Sequence, residues 1–248
     1  MTEPKTSIRI AMWSGPRNIS TALMRSWGNR PDTFVCDEPL YAHYLKVTGI
    51  DHPGREEVMD SQNTDWKTVV EELTGEVPDG KTIYYQKHMA HHLLENMDRD
   101  WIDSLENVFL IRDPREMLTS LLRVTPNATV ADTGLPQQWE LFERLRKNRG
   151  KIPIVIDAKD VLAKPRELLS LLCDEAGVPF NEAMLSWPAG PRETDGVWAK
   201  YWYTAVEKST GFLPHVPKPD PVPATHDSVH EECREYYDRL YTHRLKLG

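Results

Sequence analysis

Five short apolar runs, Ile8 to Trp13, Thr33 to Cys36, Thr82 to Tyr85, Val108 to Ile111 and Ile152 to Ile156, recur with longer amphipathic stretches between them. This spacing constrains the fold more than any other feature. The last two runs are continuously apolar, as strands buried on both faces of a parallel sheet must be. Parallel neighbours need crossovers of a dozen or more residues, usually helical. The intervening stretches supply them. In Gln137 to Asn148, Trp139, Phe142 and Leu145 share a face, and Glu140/Arg144 and Glu143/Lys147 are spaced to pair on the other. Pro165 to Ala176 reads as a second helix, stopped by Gly177. The expected class is α/β, a three-layer α/β/α arrangement around a central parallel sheet of about five strands with right-handed crossovers.

Beyond about residue 180 the pattern changes. Prolines become frequent between Trp187 and Pro223, and Lys218-Pro-Asp-Pro-Val-Pro reads as extended, polyproline-like chain. A final amphipathic helix carries Val229, Cys233, Tyr236 and Leu240 at helical spacing. With no internal repeat and no second core, one domain is expected over 1–248, with a core at 1–180 and a lid or wrap at 181–248. Lys and Arg number 30 against 38 Asp and Glu, a net charge of −8, which excludes coating of nucleic acid or an anionic membrane by bulk charge. The 3 cysteines, Cys36, Cys173 and Cys233, form neither a disulfide framework nor a zinc cluster. The start has no secretory pattern, and no apolar run nears the ~20 residues of a membrane span, so a cytoplasmic protein is expected.

The first strand runs directly into Ser14-Gly-Pro-Arg-Asn-Ile-Ser-Thr21, after which Ala22 to Trp27 has helical character. In an open parallel sheet, ligands bind at the carboxyl ends of strands, and a strand–loop–helix turn aims backbone N–H groups at an anion. The segment has the length of a phosphate-binding loop, with Ser14 and Ile19 at the loop-glycine places and Thr21 at the hydroxyl place. Ser20 stands where a nucleotidase carries its lysine. That substitution counts against ATP or GTP hydrolysis, and Arg17 supplies the charge instead. Loop length alone fits an ordinary strand–helix turn equally well.

The fourth strand ends in Arg112-Asp-Pro-Arg-Glu116, followed by a helical Met117 to Arg123. Asp113 is suited to the N-cap, Pro114 to the first helical position and Glu116 to a capping box, so Asp113 reads as structural and not as a magnesium ligand. Arg112 stands outside that helix at a strand end, and Ser120 lies about two turns on, roughly 10 Å along the axis. Both could hold one phosphate lying beside the helix. Arg112 alone could equally be a salt bridge, and Ser120 a hydroxyl bonding back to its own turn.

At this point the residues carry a resemblance. Pro16-Arg-Asn-Ile-Ser-Thr-Ala-Leu23 resembles the 5′-phosphosulfate loop of cytosolic and carbohydrate sulfotransferases, and Arg112 with Ser120 is similar to the Arg and Ser that hold their 3′-phosphate. The resemblance covers about residues 6 to 175. It is nearest to small bacterial sulfotransferase-like proteins carrying Asp-Glu-Pro-Leu-Tyr and Lys-His-Met segments. It implies a P-loop-type fold, with 3′-phosphoadenosine 5′-phosphosulfate as co-substrate, no metal and a small-molecule acceptor. Pro16, Arg17, Asn18, Ile19, Ser20 and Thr21 would hold the 5′ end, and Arg112 and Ser120 the 3′-phosphate. This chain departs from the family in having Ile19 for a loop glycine and Ala158 where many relatives stack a Tyr on adenine. It also lacks an Arg-Lys-Gly loop near the end.

Sulfuryl transfer to an alcohol needs a base at the acceptor and cations around the moving group. The resemblance implies two candidates for the base. Glu38, after the second strand, matches the Glu-Pro pair that sugar-modifying relatives use. His88, expected just past the third strand, corresponds to the His of a Lys-x-His segment, displaced by one place. Lys87 or Arg17 would steady the developing charge. His91 and His92 read as packing residues, since no carboxylate spacing makes them a metal site. Tyr41, His43 and Tyr44 could line an acceptor pocket. Lys208, Ser209 and Thr210 are candidates for a loop over the 3′-phosphate, unless Trp198, Trp202 and Phe212 simply fasten the wrap. The expected function is a sulfotransferase. The alternatives are a magnesium-dependent P-loop kinase or nucleotidase, and a non-catalytic nucleotide-binding protein of the same fold. No residue identifies the acceptor or an oligomeric state.

Overall fold

The computed structural model describes residues 7–217 and 220–247. Five parallel strands form one sheet in the order β2-β3-β1-β4-β5: β1 Ile8–Ser14, β2 Thr33–Asp37, β3 Ile83–Met89, β4 Glu106–Ile111 and β5 Ile154–Asp157. The helices between and after them are α1 Ser20–Gly28, α2 Tyr41–Thr48, α3 Arg55–Ser61, α4 Trp66–Thr74, α5 Pro114–Leu121, α6 Leu135–Arg149, α7 Ala158–Ala163, α8 Pro165–Glu175, α9 Ala199–Trp202, α10 Thr204–Glu207 and α11 Asp227–Thr242. One core packs Ile10, Met12 and Tyr85 against α1, α2 and α8; the other packs Ala11, Trp13 and Phe109 against α4, α5, α6 and α11. The chain is thus the three-layer α/β/α sandwich that the apolar runs imply.

The wrap crosses from one face to the other. Met184, Trp198 and Tyr203 join the α1 side, whereas Cys233, Tyr237 and Leu240 of α11 join the α6 side. Between them His215 meets Glu116, and Asp220 meets Arg115 and Arg123, so these two wrap residues lie against α5 and the turn after it. The polyproline-like run expected from Lys218 begins at Lys218 and Pro219, outside the described residues. After α11, the Leu245 N–H donates to the Val155 carbonyl at 2.8 Å, partly pairing the free edge of β5.

Several local expectations are corrected. β3 extends to Met89, so Lys87 and His88 lie inside it and not after it. β5 starts at Ile154, leaving Ile152 56 % exposed. Glu140 and Arg144 do not pair with each other, because Arg144 turns to Asp100 and Asp103 and Glu140 meets Arg99. Glu143 pairs with Arg146 instead of Lys147. Asp113 does cap α5, accepting from the Arg115 N–H, but Glu116 faces Arg112 and His215 and closes no capping box.

Candidate functional site

The turn after β1 is built for close approach. A Cβ on Gly15 would stand 2.2 Å from the Thr133 carbonyl oxygen, so only glycine lets the 130–134 segment lie against the loop. Arg17 then adopts φ 56°, left-handed backbone that a non-glycine residue enters at a cost and that is stored at functional sites. Asn18 pins the loop at both ends of its amide, donating to the Leu110 carbonyl at 3.1 Å and accepting from the Ile19 N–H at 2.8 Å. Its side chain is therefore committed to structure. α1 follows with an apolar residue, Ile19, at its N-cap, no side-chain cap and no acidic residue in the first turn. The first N–H groups of a helix have no intrahelical acceptor, and among the described residues no side chain caps those of α1.

Arg112 reaches this loop from the end of β4. Its guanidinium donates to the Arg17 carbonyl at 2.8 Å and to Glu116 at 3.1 Å, while Arg17 Nε donates to Ser120 Oγ at 2.9 Å. Arg17 thus bridges the span between Arg112 and Ser120 that a helix segment would otherwise keep apart. Burial and the charge of Arg112 push the Arg17 pKa down from its ordinary value, but guanidinium stays charged at any neutral pH. Burial works against ionisation of Glu116, yet hydrogen bonds from Arg112 and His215 outweigh it and hold the carboxyl below its ordinary range. Glu116, which pairs with Arg112, is thus the one carboxylate hydrogen-bonded to either guanidinium among the described residues, and Arg17 keeps only the Ser120 hydroxyl as a side-chain partner. The local charge is positive in a protein whose net charge is negative, which is what a small anion requires.

A second cluster forms where β2 and β3 end side by side. Asp37 is level with Lys87, and Glu38 follows with φ 43°. Lys87, 1 % exposed, donates to Asp37 Oδ1 at 2.8 Å, Glu38 Oε1 at 2.6 Å and the Tyr203 hydroxyl at 2.7 Å. Burial alone would discharge the ammonium, but Asp37 and Glu38 hold its pKa well above the ordinary value. Burial raises the Glu38 pKa, with Lys87 opposing and Asp37 reinforcing that rise. All three N–H donors of Lys87 are taken. In this arrangement none remains for a leaving group, the role expected for Lys87. Glu38 is left with a solvent-facing edge, its side chain being 12 % exposed.

The structure does not bring His88 to this cluster. Side chains alternate along a strand, so His88 points to the opposite face from Lys87, where it stacks on Trp13 with ring centroids 4.3 Å apart. Burial pushes its imidazole down to about 3. His91 and His92 are packing residues: His92 stacks on both Tyr41 and Tyr44 at 4.6 Å, and burial pushes His91 to about 4. Tyr41 and Tyr44 thus belong to a closed ring stack beside Glu38, while His43 turns to the Thr64 carbonyl. No group of three or more potential metal ligands occurs among the described residues.

Lys208, Ser209 and Thr210 are also elsewhere. Trp187 Nε1 donates to Ser209 Oγ at 3.1 Å and the Trp187 N–H to the Thr210 carbonyl, while Asn29, at the far end of α1, holds Ser186. That is a helix length, about 13 Å, from the loop. The wrap residue that does reach the arginines is His215, through Glu116 at 2.8 Å. Neither His215 nor Tyr203 was identifiable from spacing, since their partners lie 99 and 116 residues away. Of the aromatic residues, Trp198 and Tyr203 build the Lys87 cluster, Phe212 meets Trp187 edge-on within the wrap, and Trp202 and Phe212 both pack against the α1-side core.

Residues 8–241 match the model of a family described as sulfotransferase domain. Two curated proteins of Arabidopsis thaliana, branched-chain-amino-acid aminotransferase-like proteins 2 and 1, are 35 % and 36 % identical over 94 % and 98 % of this chain. The chain spans 41 % and 43 % of their lengths. Among solved structures, a sulfotransferase domain from the curacin biosynthetic pathway superposes with TM-score 0.54 at 15 % identity, covering 99 % of this chain and 100 % of that one. A sulfotransferase from Alicyclobacillus acidocaldarius gives 0.53 at 12 %, covering 99 % and 98 %. Both share the fold. No helix among the described residues is long and apolar enough to cross a membrane.

Proposed function

The chain belongs to the sulfotransferase domain family, and on that premise we propose that it moves a sulfuryl group from 3′-phosphoadenosine 5′-phosphosulfate to a hydroxyl or amine of a small-molecule acceptor, without a metal. The observation that carries this reading is the convergence of Arg17, Arg112 and Ser120 at the uncapped start of α1. The N–H groups of Ser20 and Thr21 receive the 5′ end, with Pro16 to Ile19 shaping the loop. Arg112 and Ser120 hold the 3′-phosphate, and Arg17 lies between the two anionic ends. The loop lacks the lysine of a nucleotidase, which favours this donor over ATP.

Glu38 is the base. Lys87 occupies Oε1, and Oε2 takes the acceptor's proton as the acceptor oxygen bonds to sulfur. The bond from sulfur to the 5′-phosphate oxygen breaks, and its electron pair leaves on that phosphate. Arg17 steadies the charge that accumulates there, a contribution that fixed cations make more effectively than water can.

Transfer from sulfur-labelled donor to a panel of small alcohols and amines tests the reading. Glu38→Gln lowers the rate by about 10²–10⁴, the ordinary worth of a positioned base. Full activity in Glu38→Gln contradicts the base. Magnesium-dependent turnover of ATP in place of sulfuryl transfer contradicts the whole assignment.

A further inference from the structure

Tyr203 comes from the wrap, 116 residues after Lys87 and 166 after Asp37, yet its hydroxyl sits between them. It donates to Asp37 Oδ2 at 2.6 Å and accepts from Lys87 Nζ at 2.7 Å and from Trp198 Nε1 at 3.3 Å. One donor and two lone pairs are all that a phenol offers, so the hydroxyl is fully used. Asp37 is likewise committed, taking Lys87 on Oδ1 and both Tyr203 and the Gly196 N–H on Oδ2. Tyr203 is 4 % exposed, Asp37 6 % and Trp198 1 %.

Docking of the wrap does not depend on this hydroxyl. Trp198 packs edge-on against Tyr41 at 5.2 Å, and Arg25 pairs with Asp195 through two bonds. A phenylalanine at 203 would keep the packing and lose only the polar contacts. Those contacts decide how Glu38 is held, because Lys87 has three N–H groups and gives one each to Asp37, Glu38 and Tyr203. With one acceptor removed, a buried N–H must find another partner, and Lys87 swings away from the geometry that fixes Glu38 Oε1. Asp37 at the same time loses its shortest donor, and its charge bears more fully on Glu38.

We propose that Tyr203 is a positioning residue for transfer: through Asp37 and Lys87 it fixes the orientation and ionisation of Glu38, so the base is complete only when the wrap is docked. This rests on Glu38 acting as the base.

The test is a carbon-13 titration of the Glu38 carboxyl, its signal assigned by its loss in Glu38→Gln, together with calorimetry of 3′-phosphoadenosine 5′-phosphate and transfer kinetics. In Tyr203→Phe the Glu38 midpoint rises by about one pH unit, as expected when a neighbouring carboxylate is less neutralised. Its kcat falls about tenfold or more with donor affinity kept within about twofold, since the arginine site is untouched. Asp37→Asn removes the negative neighbour and moves the midpoint down. Lys200→Ala cuts the wrap's ion pair to Glu57, 2.5 Å long, outside the cluster and leaves the midpoint in place. An unmoved midpoint in Tyr203→Phe overturns the proposal, as does an equal shift in Lys200→Ala. Should Tyr203→Phe not fold, a midpoint that fails to fall in Asp37→Asn overturns it. Wild-type protein that binds no bisphosphate while showing these titrations contradicts the donor reading and supports the linkage.

Discussion

Arg17 Nε lies 2.9 Å from Ser120 Oγ, joining the loop after β1 to a helix residue 103 positions later. Arg112 completes the link by donating to the Arg17 carbonyl at 2.8 Å. The loop and α5, which the sequence presents as separate motifs, are thus in direct contact. Because Arg17 is held by a hydroxyl instead of a carboxylate, its charge stays available to an incoming anion.

Removal of these groups is therefore graded. Arg112→Ala loses a positive charge and several charge-assisted bonds worth about 1.5–3 kcal/mol each, whereas Ser120→Ala loses one hydroxyl bond and no charge. Calorimetry with the bisphosphate is expected to rank Arg112→Ala well below Ser120→Ala. The reverse order would mean that the phosphate does not lie on Arg112.

The loop depends on Gly15. Because a Cβ there would stand 2.2 Å from the Thr133 carbonyl oxygen, Gly15→Ala must push the loop and the 130–134 segment apart. Overpacking of this kind costs about 1–3 kcal/mol, read as a lower midpoint of thermal unfolding together with weakened bisphosphate binding. Unchanged stability would show that the two segments separate freely.

Rate against pH reports on the base. A base must be ionised to take a proton, and burial raises the Glu38 pKa, so kcat/KM rises with pH through a midpoint above the ordinary carboxylate range. His88, pushed down to about 3, stays neutral throughout that range. The rising limb disappears in Glu38→Gln and stays in place in His88→Phe. A limb that vanishes with His88 would reverse the assignment.

The wrap is pinned by a buried charge. Arg25 and Asp195 have side chains 2 % and 5 % exposed and share two hydrogen bonds. Asp195→Ala leaves the guanidinium unpaired in the interior, a loss of about 3–5 kcal/mol for such pairs. Thermal unfolding is expected to show it, with Arg25→Met/Asp195→Leu recovering most of the stability. No recovery would mean that Asp195 acts through its bond from the Arg192 N–H, 2.8 Å long.

What could be read from the sequence follows a physical line. Continuous apolar runs such as Val108 to Ile111 announce buried parallel strands because their pattern is local, and Asp113 announces a cap because its partner, the Arg115 N–H, is two residues on. β3 runs on past its apolar residues through Gln86, Lys87 and His88, whose polarity gives no strand pattern. They are strand because distant residues satisfy them: Leu73, Asp37, Tyr203 and the ring of Trp13. Glu116 fitted a capping box by spacing but is drawn off by Arg112 and His215. The buried strands and the Asp113 cap are legible because their pattern is local, whereas side-chain pairings settled by tertiary contacts, such as Arg144 with Asp100 or Lys87 with Asp37, are not.

Calorimetry of 3′-phosphoadenosine 5′-phosphate in the presence of a metal chelator, for the wild-type protein and for Arg112→Ala, is the most direct measurement. Binding that survives the chelator and weakens at least about tenfold in the variant, the worth of 1.4 kcal/mol, is expected from a donor site on Arg17, Arg112 and Ser120. Equal binding of ATP, or an affinity indifferent to Arg112, would contradict it.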